Sequence, residues 1–485
     1  MSNDHPLILA IDQGTTSTRA LIFNEKGYMV AKAQKELPLI TPKSGWVEQD
    51  ANQIWNDVVE TCSEALAKVN ANDVIGIGIT NQRETTILWD KNTGEPAYNA
   101  IVWQDRRTAD FCKTIRAHEP DIQKRTGLLA DPYFSSTKIR WILDHVDRTD
   151  NLLFGTVDSF LLWKLTDGKV HATDISNASR TMLLNIETGE WDVDQCELMG
   201  VPMDMLPTVM DNCAEFGVTE IFGNPLPILG MAGDQQAATF GQACYEKGQV
   251  KSTYGTGCFA LMNTGQDCVL SKNRLLSTTA WRINGQTTYA VEGSIFVAGA
   301  AVQFLRDNLK LFDAAEKSEA IATSIDDTDG VVFVPAFTGL GAPYWDPNAR
   351  GAVLGLSRGT TDAHITRAVL EAQAYQTRDL IAAMEGDAST TIETIRVDGG
   401  LVANNFVCQQ LANQTSATID RPVNQEATVW GAAAMAFLQA GVFKSFDDVR
   451  AVYQLNRQFI PNGEKDKNDR LYTRWQKAIS VVQQF

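Results

Sequence analysis

The chain has 485 residues, of which 44% are hydrophobic and 21% charged, and its formal net charge is −17. That length suits two or three domains of ordinary globular composition. The acidic balance disfavours a protein that binds nucleic acid through its phosphate backbone, because like charges repel. An acidic protein can still hold a nucleotide through a local cluster of donors.

No segment of the sequence predicts export or membrane insertion. Residues 1–6 lack the basic, apolar and small-residue order of a signal peptide, and no apolar run approaches the length of about 18 residues needed to span a bilayer. The eight cysteines are scattered without a Cys-x-x-Cys pair, and the five histidines show no metal-ligand spacing. We therefore expect a cytoplasmic protein without a membrane span.

The first informative stretch is an apolar strand, Leu7 to Ile11, that ends at Asp12 and Gly14. Four hydroxyl residues and an arginine follow directly: Thr15, Thr16, Ser17, Thr18 and Arg19. Glycine lets backbone N–H groups approach a ligand closely. Donors beside one acid suit a polyphosphate with its Mg²⁺, since the donors hold phosphate oxygens and the acid holds the metal's water shell. The alternative is a threonine-rich hairpin at a sheet edge, and this stretch alone does not decide between them.

Strands then alternate with helices, which predicts an α/β architecture. Asp50 is placed to cap a helix with an apolar face within residues 54–69. The strand Val74 to Thr80 leads to the charged pair Arg83 and Glu84. Ligands bind at strand ends in open α/β sheets, so this pair could hold adjacent hydroxyls of a polyol, with arginine donating and glutamate accepting. The simpler interpretation is an ion pair on the surface.

A second acid follows the apolar run Ile228 to Ala232, where Gly233 precedes Asp234. An acid there can act as a base or help to hold a metal, and the alternative is a helix N-cap. A second half begins near Cys244, with a strand and a turn rich in glycine and hydroxyls at residues 250–259. Two donor-rich turns suggest a nucleotide in a cleft between domains, which we expect at residues 1–243 and 244–485.

Three further patterns lie in the second half. A strand at residues 394–398 precedes Asn404 and Asn405, which are placed to open a helix, and residues 431–434 form a small-residue helix face that belongs in a core. Residues 355–359 match the Gly-x-Ser-x-Gly of a nucleophile elbow, but the only later histidine, His364, is too close to return as a triad base. An esterase is therefore disfavoured, and no Walker P-loop motif occurs.

Motifs along nearly the whole chain stand in one order: Asp12–Thr16, Gly45–Asp50, Asn81–Thr86, Trp103–Thr108, Asp131–Lys138, Asn177–Met182, Gly233–Gln236, Tyr254–Phe259, Gly339–Pro347, Val397–Gly400 and Ala403–Asn405. Together they resemble the FGGY family of carbohydrate kinases. The resemblance implies two domains with ribonuclease-H-like cores, related to actin-like ATPases, with MgATP in the cleft between them. It also implies ATP-dependent phosphorylation of glycerol to sn-glycerol 3-phosphate. A homo-oligomer, either a dimer or a tetramer, is expected.

The resemblance also implies a role for each matching residue. Asp234 corresponds to the general base that faces the attacking hydroxyl. The implied hydroxyl ligands are Arg83, Glu84, Tyr133, Asp234 and Gln235, and the implied apolar wall is formed by Trp103 and Phe259. The phosphate side is matched by Thr15, Thr16, Ser17 and Arg19, with Mg²⁺ near Asp12 and Asp234. The nucleotide contacts are matched by Thr256, Gly299, Gln303, Gly400 and Asn404.

Two alternatives remain open at this stage. Another FGGY kinase would act on xylulose, gluconate or a longer polyol, although Trp103 beside Arg83 and Glu84 favours a small pocket. A non-catalytic nucleotide sensor of the actin-like type is disfavoured, because both Asp12 and Asp234 are present.

Two departures from the family pattern concern substrate fit and control. Ser136 stands where the family commonly has glycine, near Tyr133. The segment Glu215 to Pro227 lacks the glycine-rich, arginine-bearing loop with which some bacterial members bind fructose 1,6-bisphosphate, and it contains no histidine that could be phosphorylated. We therefore expect neither form of regulation.

Overall fold

The structure is a computed structural model that describes residues 5–147, 151–346 and 348–485. Residues 1–4, considered above for a signal peptide, and Pro347, which closes one motif, lie outside the described residues.

In the first half the strands are β1 Leu7–Gln13, β2 Ser17–Asn24, β3 Met29–Glu36, β4 Glu48–Gln49, β5 Val74–Asn81, β6 Ile87–Asp90, β7 Ala100–Ile101, β8 Leu152–Gly155, β9 Ala172–Asp174, β10 Leu184–Asn185, β11 Glu190–Trp191, β12 Thr208–Met210, β13 Cys213–Thr219 and β14 Leu226–Gly233. The helices are α1 Ala51–Leu66, α2 Ala109–Thr114, α3 Glu119–Thr126, α4 Ser135–His145, α5 Val157–Leu165, α6 Ile175–Ala178, α7 Val193–Met199 and α8 Asp234–Gly241.

In the second half the strands are β15 Val250–Tyr254, β16 Cys258–Gly265, β17 Leu276–Ile283, β18 Gln286–Ile295, β19 Val332–Val334, β20 Ala352–Leu354, β21 Thr394–Asp398, β22 Thr418–Pro422 and β23 Leu455–Phe459. The helices are α9 Gly299–Asp307, α10 Lys317–Thr323, α11 Asp362–Ala388, α12 Asn405–Thr415, α13 Ala427–Gln439, α14 Phe446–Val452 and α15 Lys465–Val482.

Each half is built on one large mixed sheet. The first has the order β13-β14-β5-β1-β2-β3, in which β1, β5 and β14 run parallel and the outer pairings are antiparallel. The second has the order β17-β18-β16-β15-β21-β22-β23, with β15, β21 and β22 parallel. In both sheets, antiparallel strands lie beside a set of three parallel strands, and helices occur in the chain between one parallel strand and the next. The α/β class and the two similar halves are thereby confirmed.

The parallel strands of the first sheet end together. Gln13 of β1 is paired with Asn81 of β5, which is paired in turn with Gly233 of β14. Because this edge collects the carboxyl ends of three parallel strands, it brings Asp12, Arg83 and Asp234 to one end of the sheet. Buried apolar residues of the same strands, such as Ile11 and Ile79, anchor it in the core beneath.

Helix α13 crosses from the second half and packs on the first sheet. It lies against β1, β5, β14 and α8, and it contributes Val429, Ala433 and Phe437 to a core shared with Ile8 and Ala10. The approach is between backbones, since a Cβ at Gly78 would lie 2.3 Å from the Ala432 carbonyl oxygen and one at Gly431 would lie 1.8 Å from that of Ala237. The core assignment of residues 431–434 is confirmed, and the boundary between residues 243 and 244 stays a prediction.

Several local expectations can be compared directly with the structure. Asp50 caps α1 by accepting from the Asn52 N–H at 2.8 Å, and Asn404 caps α12 by accepting from the Val407 N–H at 3.1 Å, as predicted. The segment from Glu215 to Pro227 is not a free loop, because β13 and β14 pair as an antiparallel hairpin through most of it. Ser357 is exposed, and His364 is bonded to Thr361 at the start of α11, so no nucleophile elbow forms. Within the described residues, no helix is long and apolar enough to cross a membrane.

Candidate active site

Asp12, at the end of β1, is held by an arginine from the next strand. Its Oδ2 accepts from the Arg19 Nε at 3.0 Å and also from Nη2, while Arg19 Nη1 donates to Glu426 Oε2 at 2.6 Å. Burial raises the pKa of Asp12 and outweighs the opposing effect of Arg19. The structure therefore places Arg19 between two carboxylates, and Glu426, which precedes α13, is a partner that the sequence did not indicate.

Three of the four hydroxyl side chains in the turn after β1 are accessible. Thr15 and Ser17 are half-buried and Thr16 is exposed, whereas Thr18 is buried and donates to Gln13 Oε1 at 2.7 Å. Gly14 closes the turn by donating from its N–H to the Ser17 carbonyl at 3.0 Å. Three of the four hydroxyls are thus available to a ligand, and the fourth is structural.

The charged pair after β5 is buried, so the interpretation as a surface ion pair is wrong. Arg83 is 3% exposed and Glu84 1% exposed. Arg83 donates to Glu292 through Nη1 at 2.6 Å and through Nη2 at 3.0 Å, and Arg180 donates from Nε to Glu84 Oε1 at 2.7 Å. Burial raises the pKa of Glu84 against the effect of both arginines. Glu84 also adopts φ 61°, an uncommon backbone conformation that concentrates at functional sites.

Glu292 and Arg180 complete this buried cluster. Glu292 lies on β18 of the second sheet, and Arg180 Nη2 donates to its Oε1 at 3.1 Å. Burial alone would raise the pKa of Glu292, but Arg180 and Arg83 outweigh it and lower the value to about 2. Neither residue is among the predicted site residues, although a glutamate in the otherwise uncharged run from Ala290 to Ile295 is a visible signal.

Three aromatic rings from separate parts of the chain meet beside this cluster. The ring of Trp103 lies 5.7 Å from that of Tyr133 and 6.0 Å from that of Phe259, both edge to face. The indole Nε1 donates to Thr15 Oγ1 at 2.9 Å, which fixes the ring toward the hydroxyl-rich turn. The structure brings the predicted apolar wall together, with Phe259 supplied by β16 of the second half.

Asp234 is the first residue of α8 and remains accessible. Its Oδ1 accepts from the Gln235 N–H at 2.7 Å and lies 3.2 Å from Arg83 Nε, and its side chain is 32% exposed. Gln235 is held in turn by Lys251, whose Nζ donates to Gln235 Oε1 at 2.5 Å. Burial lowers the pKa of Lys251, opposed by Asp398 and Asp234. Lys251 is, like Glu426, Glu292 and Arg180, a residue that the sequence did not indicate.

The residues matched to nucleotide contacts gather around the end of β15. The Gly299 N–H donates to the Gly255 carbonyl at 2.9 Å, and a Cβ at Gly299 would lie 2.6 Å from that oxygen. Thr256, Gln303 and Gly400 are exposed on this surface. Asn404 differs from them, because its amide oxygen caps α12 and its nitrogen donates to Ser318 Oγ at 3.3 Å.

The two acids fit a magnesium ion that is held jointly with phosphate. Asp12 and Asp234 lie close enough for the charge of Asp234 to contribute to the raised pKa of Asp12. Within the described residues, no group of three or more histidine, cysteine or carboxylate side chains could hold a metal alone. Mg²⁺ is commonly held by one or two carboxylates, with waters and substrate phosphates completing its octahedron.

Comparisons with known proteins agree with this geometry. Residues 7–241 match the N-terminal domain of the FGGY family of carbohydrate kinases, and residues 250–440 match its C-terminal domain. The chain is 52% identical to glycerol kinase 2 of Thermotoga maritima, covering 98% of each chain, and 52% identical to a glycerol kinase of Thermus thermophilus, covering 99% of each. Among solved structures, the glycerol kinase of Plasmodium falciparum with ADP has a TM-score of 0.93 at 34% identity, covering 99% of this chain and 98% of that one.

Proposed function

The chain belongs to the FGGY family of carbohydrate kinases, and on that premise we propose that it transfers the γ-phosphoryl group of ATP to glycerol. The observation that carries the proposal is the arrangement of the rings of Trp103, Tyr133 and Phe259 beside the buried Arg83 and Glu84. A three-carbon polyol offers one apolar edge to the rings and hydroxyls to the charges. The relatives named glycerol kinase support the same substrate.

The geometry gives each polar side chain beside the rings a separate task. Arg83 donates to one hydroxyl and Glu84 accepts from its neighbour, which leaves the terminal hydroxyl facing Asp234. Its oxygen forms a bond to the γ-phosphorus, the bond to the β,γ-bridging oxygen breaks, and Asp234 takes the proton. Phosphoryl transfer asks a protein mainly for such positioning and for charge stabilisation.

The phosphate side of the site is formed by two turns. Thr15, Thr16 and Ser17 would donate to phosphate oxygens from the first half, and Thr256 would do so from the second. Asp12 and Asp234 would hold Mg²⁺, which neutralises phosphate charge when it is bound. The absence of a side chain at Gly299 allows the second turn to lie directly against the start of α9.

A second candidate is a kinase for a longer sugar or polyol. A gluconate kinase of Lactobacillus acidophilus shares the fold, with a TM-score of 0.89 at 21% identity. The three rings disfavour a longer substrate, because rings that meet edge to face leave little room for a longer carbon chain between them. Xylulose, gluconate and longer polyols therefore serve as the comparison substrates in the test.

The test is a coupled assay of ADP release with glycerol, xylulose, gluconate and a four-carbon polyol, each over a range of concentrations. We expect glycerol to have the highest kcat/KM by at least about tenfold, because a pocket built on hydrogen bonds discriminates strongly. A higher kcat/KM for any other substrate would replace glycerol in the proposal. Chelation of Mg²⁺ in the same assay should abolish turnover.

The proposal extends to assembly and location. A dimer or tetramer is proposed, and light scattering coupled to size-exclusion chromatography measures it. All eight cysteines are unpaired and seven are buried, which supports a reduced compartment such as the cytoplasm.

A further inference from the structure

We propose that Glu292 and Arg180 are positioning residues for the hydroxyl clamp, defined here as Arg83 and Glu84, and that they set its selectivity for a polyol. The inference rests on the proposed function, because the clamp is taken to hold glycerol. Glu292 comes from the second half, so the substrate pocket of the first half is completed by a residue more than 200 positions away, the separation from Arg83 being 209.

The partners of Arg83 show which of its donors are free for a substrate. Nη1 donates to Glu292 at 2.6 Å and to Gln236 Oε1 at 3.2 Å, and Nη2 donates to Glu292 at 3.0 Å. Nη2 also donates to the Tyr133 hydroxyl at 3.4 Å, and Nε lies 3.2 Å from Asp234 Oδ1. Tyr133 and Asp234 are the half-buried partners, so these two contacts are the ones that a hydroxyl can replace.

Arg180 holds the other half of the clamp in the same way. Its Nε donates to Glu84 Oε1 at 2.7 Å and its Nη2 donates to Glu292 at 3.1 Å, so one guanidinium joins both carboxylates. None of the hydrogen bonds between described residues reaches Glu84 Oε2. That oxygen is therefore the one available to accept from a polyol hydroxyl.

The cluster is balanced in charge and closed to solvent. Arg83, Glu84, Arg180 and Glu292 are each exposed by 3% or less, and they carry two positive and two negative charges. Removing one member of a buried ionic set leaves its partner charged and without compensation. Loss of the Glu292 charge would free the inner side of the Arg83 guanidinium, which would then turn toward Asp234 and Tyr133 and obstruct the polyol site.

The experiment compares Glu292→Gln and Arg180→Lys with the wild type, using Arg83→Ala as the reference for a lost clamp. Glutamine keeps the shape of Glu292 without its charge, and lysine keeps a charge without the planar fork that joins two carboxylates. We expect both variants to raise the KM for glycerol by about tenfold or more while the KM for ATP changes by less than about twofold. We also expect the preference in kcat/KM for glycerol over propane-1,2-diol to fall by about tenfold.

A matched control is Glu371→Gln on α11. Glu371 is 6% exposed and accepts from Arg367 at 2.8 Å and from the Tyr375 hydroxyl at 3.1 Å, so it is also a buried partner of an arginine, outside the clamp. We expect the control to lower thermal stability without changing the KM for glycerol. With this control, a raised KM for glycerol in Glu292→Gln and Arg180→Lys is distinguished from a general loss of stability.

Two outcomes separate the inference from the function on which it rests. If the wild type phosphorylates glycerol and Arg83→Ala raises its KM, but folded Glu292→Gln and Arg180→Lys keep the wild-type KM and preference, the positioning role is overturned. If the wild type does not phosphorylate glycerol, the proposed function itself fails. Should Glu292→Gln not fold, Arg180→Lys and Glu292→Asp decide the question, since both keep the charge.

Discussion

Replacing Asp234 by asparagine tests the proposed base with little disturbance of its surroundings. Both protein partners, the Gln235 N–H and Arg83 Nε, lie against Oδ1, and none of the hydrogen bonds between described residues reaches Oδ2. An asparagine can keep Oδ1 in place while an NH₂ group takes the position that receives the proton. The substitution therefore removes the base and leaves the anchoring contacts.

The expected size of the effect follows from general base catalysis. Loss of a positioned base lowers kcat by about 10²–10⁴-fold, equivalent to about 3–5 kcal/mol of transition-state stabilisation. Binding of ATP in the absence of Mg²⁺ should change little, because Asp234 is assigned to the metal and the hydroxyl, whereas the residues matched to nucleotide contacts surround the end of β15. Kinetics of ADP release measure kcat, and calorimetric titration with ATP measures binding.

The matched control is Asp362→Asn. Asp362 is likewise the first residue of a helix, and its Oδ1 accepts from the next backbone N–H, that of Ala363, at 2.9 Å. It lies on α11, so the substitution should leave kcat unchanged. If Asp234→Asn retained more than about a tenth of the wild-type kcat, the base would have to be another group.

Three further predictions concern stability and control. The pKa of Glu292 is lowered from 4.5 to about 2, so the stability that its ionised form provides is present above pH 4.5 and is lost as the pH falls toward 2. In urea unfolding, the difference in stability between wild type and Glu292→Gln should therefore shrink by about 2 kcal/mol from pH 5 to pH 3. Ser136 is buried, and its hydroxyl has no hydrogen-bond partner among the described residues, so Ser136→Ala should be neutral or stabilising by up to about 1 kcal/mol in thermal unfolding, with an unchanged KM for glycerol. Millimolar fructose 1,6-bisphosphate should not inhibit at any enzyme concentration. The hairpin of β13 and β14 carries Glu215 and Glu220, which repel phosphate, and no arginine or lysine lies between Glu215 and Pro227. Inhibition that deepens with enzyme concentration would instead reveal a site formed by assembly.

The parts of the fold that depend on local pattern could be predicted from the sequence. Strand ends, the Asp50 cap and the Asn404 cap depend on residues within a few positions of one another, so periodicity and capping chemistry suffice. The gathering of Asp12, Arg83 and Asp234 could also be predicted, because parallel strands present their carboxyl ends at one edge.

The partners of these residues could not be predicted in the same way. Glu292 and Glu426 reach the site through the packing of one half on the other, and no local rule pairs Arg83 with Glu292 or Arg19 with Glu426. The surface interpretation of Arg83 and Glu84 failed for the same reason, since burial of a charged pair depends on whether distant counter-charges accompany it. Lys251 is similar, because Gln235, to which its side chain donates, lies on a different strand–helix unit.

The crossing of α13 also bears on how the chain folds as it leaves the ribosome. In the folded protein, Val429, Ala433 and Phe437 cover the face of the first sheet that carries Ile8 and Ala10, and they are synthesised more than 400 residues later. Until then the nascent first half exposes an apolar surface of the kind that chaperones bind and that promotes aggregation. Residues 1–243 expressed alone should therefore be poorly soluble, and a peptide or domain that carries α13 should rescue them.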